Sequence, residues 1–94
     1  MTPITFFHLP GCPYCAKARQ AIEELTQEHP EYAETQIDAI DETTPPADLA
    51  DFYDYYYVPT MYVGEQKIFE AHPGADYEEI KEEVDKAFEA AMQD

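Results

Sequence analysis

Two cysteines stand in Cys12-Pro13-Tyr14-Cys15, and the chain has no others. What flanks them limits the fold. Upstream, Ile4-Thr5-Phe6-Phe7-His8-Leu9 is short, apolar and β-prone, and is bounded by Pro3 and by Pro10-Gly11, so it reads as a buried strand. Downstream, residues 13–28 put Cys15, Ala18, Ile22 and Leu25 on one face of an amphipathic helix that Pro30 ends. A Cys-x-x-Cys between a strand and a helix is the layout of a thiol redox site. Pro13 suits the first helical turn, where its missing N–H would have had no partner. Cys12 then falls at or beside the N-cap, facing free N–H groups and the positive end of the helix dipole. That setting favours the thiolate, which is the nucleophile. Cys15 lies one turn inward, close enough to attack a disulfide formed on Cys12.

The remaining elements follow in order. Residues 33–40 read as a second strand, with Tyr32, Ile37 and Ile40 as its apolar positions. After the loop Asp41-Glu42-Thr43-Thr44-Pro45-Pro46, a short helix is expected from Thr44 as N-cap to about Asp54, with Leu49, Phe52 and Tyr53 inward. Tyr55-Tyr56-Tyr57-Val58-Pro59 leads into a third strand, Thr60 to Val63. Gly64-Glu65 makes a turn, and Lys67 to Ala71 returns antiparallel as a hairpin. Asp76 and Glu79 form an Asp-x-x-Glu capping box for the last helix. Its buried stripe is Tyr77, Ile80, Val84, Phe88 and Ala91. The order β-α-β-α-β-β-α predicts a single α/β domain over residues 1–94. Its mixed four-stranded sheet would carry helices on both faces, with a right-handed parallel unit at the start.

Composition narrows the function. The chain has 94 residues, 21 acids and five bases, for a formal net charge of −16. That disfavours nucleic acid and anionic membranes as partners. With 45 % hydrophobic residues the chain can still bury a core. Two of the five bases, Lys17 and Arg19, follow the cysteines directly. They either bias the site positively or solvate the exposed helix face, and both can hold together. The first residues lack a basic n-region, and no apolar run is long enough for a signal or a membrane span. A cytoplasmic location is expected, where a lone Cys-x-x-Cys is catalytic or metal-binding rather than a structural staple. Cys12 and Cys15 with His8, His29 and His72 are enough in number for a zinc site, but no second close pair of ligands exists. For His8, a packed, hydrogen-bonded role at the strand end is preferred to one in tuning the thiolate.

Cys12-Pro13-Tyr14-Cys15 resembles the active-site tetrad of dithiol glutaredoxins, and Val58-Pro59-Thr60 resembles the segment that carries the cis-proline of thioredoxin-fold proteins. With the elements laid out above, the resemblance covers nearly the whole chain. The resemblance implies the thioredoxin fold, a cis Pro59 facing the cysteines, and a Val58 backbone open to an extended substrate. It implies thiol–disulfide exchange, with Cys12 as nucleophile and Cys15 as resolving thiol. Pro13, Tyr14, Tyr57, Val58, Pro59, Gly74 and Asp76 are the implied substrate-binding residues. Asp76 would meet a glutathione amino group or simply cap its helix.

The chain also departs from the family. Glutathione-using members usually carry Lys or Arg three residues before the first cysteine, where this chain has Leu9. They usually have Thr before Val-Pro, where this chain has Tyr57, and Gly74-Ala75-Asp76 keeps only part of their Gly-Gly turn and Asp. On the thioredoxin side, the Trp-Cys-Gly-Pro-Cys motif is absent. The expected protein is a monomeric dithiol–disulfide oxidoreductase with no bound cofactor or metal. Its substrate is a protein or small-molecule disulfide. Its electron donor is glutathione or, alternatively, a thioredoxin-reductase-like flavoprotein. The alternative from another class is a non-catalytic carrier of a metal or iron–sulfur cluster on Cys12 and Cys15.

Overall fold

In the computed structural model, which describes residues 2–41 and 57–93, strands β1 (Ile4–His8), β2 (Ile37–Asp41), β3 (Thr60–Val63) and β4 (Gln66–Glu70) form one sheet in the order β2-β1-β3-β4. β1 pairs parallel with β2, Ile4 opposite Ile37, and antiparallel with β3, Phe6 opposite Met61. β3 and β4 form the expected hairpin. Helices α1 (Pro13–Glu28) and α2 (Tyr77–Gln93) pack on each other and share a single core with the sheet. The sheet is mixed and the fold is the α/β thioredoxin fold. The helix expected over 44–54, which would cover the second face, lies outside the described residues. Among the described residues no helix is long and apolar enough to cross a membrane.

The core explains why these segments take these forms. Ile4 and Phe6 of β1 meet Ala18, Ala21 and Leu25 of α1 and Ile80, Val84 and Phe88 of α2. Small residues on α1 let that helix sit close to its neighbours. Phe7 points to the other face of the sheet, where it is buried edge-on to Tyr62 with ring centroids 6.3 Å apart.

Local structure differs from the sequence expectation in several places, four of them for the following reasons. β1 stops at His8, because the backbone of Leu9 turns to the cysteines: its N–H donates to Cys15 and its carbonyl accepts from the Cys12 N–H. The second strand begins at Ile37 rather than 33, because Pro30–Glu34 forms a 3-10 turn anchored by buried Tyr32. β4 starts one residue earlier than expected, since a two-residue turn sets Val63 opposite Gln66. The capping box is only half made: Asp76 accepts the Glu79 N–H at 2.9 Å, but the Glu79 carboxylate bonds to His72 instead of reaching back.

Candidate functional site

The site forms where β1 hands over to α1. Gly11 has φ +78°, a conformation that side-chain-bearing residues rarely adopt, and it turns the chain sharply out of the strand. Cys12 follows as N-cap with φ −78° and ψ 122°, and Pro13 opens the helix. The Cys12 carbonyl accepts the Ala16 N–H at 3.0 Å, while its side chain caps nothing. No acid stands in this first turn, despite the acidity of the chain, so nothing there opposes a thiolate at the helix N-terminus.

The two cysteines, both unoxidised here, differ in setting. Cys12 is partly exposed, and its S–H donates to the Val58 carbonyl at 3.9 Å. Cys15 is fully buried and its sulfur accepts the Leu9 N–H at 3.4 Å. Burial pushes the Cys15 thiol up to about 12; the Leu9 N–H and the charge of Arg19 oppose this, and the neighbouring Cys12 reinforces it. Cys15 is therefore held as a neutral thiol, which leaves Cys12 as the accessible sulfur.

The Val58–Pro59 peptide bond is cis, as expected, and Pro59 is buried. Its segment is brought against Cys12 by β3. Tyr57 is 53 % exposed beside it, and Leu9, 36 % exposed, borders the sulfurs on the β1 side. Tyr14, implied by the resemblance to be substrate-binding, is tied into the fold. Its hydroxyl accepts the N–H of Gly74 at 2.9 Å, its ring packs on the core, and Lys17 Nζ lies 5.3 Å from the ring centre. Gly74 thus reaches the tetrad through Tyr14, with a φ of +91° that suits glycine. Asp76 is exposed and caps α2. Of the expected neighbours, Tyr55 and Tyr56 lie outside the described residues.

The histidines do not gather. His8 is packed, as expected, stacked on Phe6 with ring centroids 5.2 Å apart, and its Nδ1 has no hydrogen-bond partner among the described residues. His29 sits at the C-terminal end of α1, and His72 bonds Glu79 and the Pro73 carbonyl. Among the described residues no three of His, Cys, Asp and Glu converge as a metal site requires. Sequence reading missed two contacts of the site: the Leu9 N–H on Cys15, and the Glu70 carboxylate on the Tyr57 N–H at 2.9 Å. The first is a backbone group and the second comes from a different strand, so neither leaves a local pattern.

A thioredoxin fold with a Cys-x-x-Cys opening its first helix and a cis-proline segment against it defines a thiol oxidoreductase-like protein. The glutaredoxin sequence profile matches residues 4–68, more than half of the chain, and the chain belongs to the glutaredoxin family. Eleven solved chains are similar in structure. One is the periplasmic thioredoxin SoxS from Paracoccus pantotrophus in its reduced form, with a TM-score of 0.50 and 19 % identity over 93 % of this chain and 99 % of that one. That likeness is one of fold. No curated protein matches.

Proposed function

We propose that the chain reduces disulfides by dithiol exchange, with Cys12 as nucleophile and Cys15 as resolving thiol. The observation that carries this reading is the contrast between the sulfurs, one partly exposed at a helix N-terminus and the other buried as a thiol. The Cys12 thiolate attacks one sulfur of a substrate disulfide; a Cys12–substrate disulfide forms and the other substrate sulfur leaves as a thiolate. Cys15 then loses its proton and attacks the Cys12 sulfur. The second substrate thiolate leaves, and the Cys12–Cys15 disulfide holds the oxidation. While Cys12 is in the mixed disulfide it carries no charge, which removes one of the causes that hold Cys15 as a thiol. Two electrons from an external donor reset the pair.

The family favours glutathione as that donor. Three features favour a flavoprotein reductase as the second reading: exposed Leu9 in place of a cation, the Gly74 N–H already given to Tyr14, and the acidity of the chain. The test is reduction of a small disulfide with glutathione plus its reductase, or with NADPH plus thioredoxin reductase. Turnover with the first supports a glutathione-coupled glutaredoxin, and turnover with the second alone supports a thioredoxin-like carrier. Cys15→Ser should trap the mixed disulfide and Cys12→Ser should trap none. The reverse pattern would exchange the two roles, and no turnover with either donor would end the reading.

A further inference from the structure

The Tyr57–Val58–Pro59 segment is held from behind by the β3–β4 hairpin. The Tyr57 N–H donates to Glu70 Oε2 at 2.9 Å, and the Thr60 hydroxyl donates to the Tyr57 carbonyl. The Ala71 N–H donates to the Pro59 carbonyl at 3.0 Å. Both polar backbone groups of Tyr57 and the carbonyl of Pro59 are thereby fixed. Between them, Val58 turns its carbonyl to the Cys12 sulfur. We infer that Glu70 is a positioning residue for exchange at Cys12, its carboxylate holding Tyr57 so that Val58 faces the sulfur and an incoming disulfide. The inference rests on the exchange reading above.

Glu70 lies opposite Thr60 in the ladder, so one cross-strand pair supplies both side-chain bonds to Tyr57. Its second oxygen accepts from Lys67 Nζ at 2.8 Å, which aims the carboxylate. A pair with Lys67 alone would be an ordinary surface ion pair of little consequence. It does not account for the other oxygen, which reaches back across thirteen residues to a backbone N–H. The Glu70 side chain is only 18 % exposed, whereas most acids among the described residues face solvent. A carboxylate turned inward onto an N–H makes a charge-assisted bond, stronger and shorter than a neutral one. The bond runs to the residue next to Val58, so its loss shifts the backbone carbonyl that Cys12 meets.

The experiment is steady-state reduction of a peptide carrying one disulfide by the full chain and its Glu70→Ala and Glu70→Gln variants. Glu70→Ala should raise KM about tenfold, the equivalent of one lost hydrogen bond, with kcat within about twofold. Glu70→Gln keeps an acceptor oxygen and should recover most of the loss. In the parent, the Tyr57 amide should exchange with deuterium at least about tenfold more slowly than an unstructured amide, despite its exposed side chain. An unchanged KM in a folded Glu70→Ala, or an equal loss in Glu70→Gln, would overturn the inference. So would an unprotected Tyr57 amide, a result that needs no variant to fold. If the parent fails to reduce the peptide, the exchange reading falls, while the Tyr57 amide still decides whether Glu70 holds the segment.

Discussion

At the C-terminal end of α1, Tyr32 lies flat on Phe88 of α2, with ring centroids 4.6 Å apart and planes 5° from parallel, and its hydroxyl donates to Asp85 at 2.6 Å. Lys81 of α2 bonds Glu28 at 2.7 Å, and the Tyr77 hydroxyl donates to Glu24. At the N-terminal end of the same helix, the two sulfurs are met by contacts of 3.4 and 3.9 Å. One end is tied by stacked rings and short polar bonds; at the other Tyr14 holds Gly74, but the sulfurs themselves meet only weak sulfur hydrogen bonds. The difference teaches where this small domain keeps its stability. On the exchange reading proposed above, a sulfur that must form and break bonds with a visiting disulfide cannot itself be locked, so packing at the far end carries the helix while the near end stays open.

Substitutions at the two ends should therefore separate stability from activity, and the largest effects come from a crossed pair. Phe88→Ala empties a fully buried site and should cost about 3–5 kcal/mol of unfolding free energy, read by urea denaturation, with activity per folded molecule unchanged. Cys12→Ser should abolish exchange and move stability by less than about 0.5 kcal/mol. If Phe88→Ala lowered the activity of the folded fraction as well, the two ends would be coupled and the comparison would break. Tyr32→Phe sharpens it. The ring stack stays and the hydroxyl on Asp85 goes, which should cost about 1.5–3 kcal/mol because the acceptor is charged. A cost near zero would put the strength of the seam in the rings alone.

The reactive end was the more legible in sequence. The cysteines, Gly11 and Pro13 are neighbours in the chain, and their roles at a strand-to-helix turn follow from local rules about φ, capping and periodicity. Val58 before Pro59 was readable because it resembles a known segment. The seam was not. Tyr32 is β-prone and precedes Ile37 and Ile40, so it looked like part of a strand; its stack on Phe88, far along the chain, goes instead with a 3-10 turn over Pro30–Glu34. Glu79 fitted a capping box until His72, placed beside it by the loop fold, took its carboxylate. Backbone donors such as the Leu9 N–H carry no residue type to recognise at all.

A smaller effect distinguishes the ends through pH. Burial raises the folded Cys15 thiol from 9.0 to about 12. A group raised on folding stabilises the fold fully below its unfolded value and loses that contribution as pH climbs toward the folded one. Reduced protein should thus lose about 1 kcal/mol between pH 9 and 10, and Cys15→Ala should not. Above pH 10 the loss mixes with that of Tyr77, which burial and Glu24 push up to about 12. Equal slopes for the parent and Cys15→Ala between pH 9 and 10 would mean that Cys15 ionises as freely in the fold as out of it.

The smallest effect concerns the loop that joins β4 to α2 and touches α1 near the site. His72 is held by the Pro73 carbonyl and by the Glu79 carboxylate of α2, and both raise it above its ordinary 6.5. Two residues on, Gly74 donates to Tyr14 of α1. Protonated His72 thus favours the loop conformation that lies against the tetrad. The sign follows from the raised value: the contribution is complete below pH 6.5 and fades as pH rises through the folded value. Proton NMR should find His72 titrating above 6.5, and Glu79→Gln should bring it down, leaving only the bond to Pro73. Because the side chain is exposed, solvent screens the pair and the change in global stability should be slight. A His72 that titrated at 6.5 or lower would show that the Glu79 carboxylate does not tie this loop to α2 beside the site.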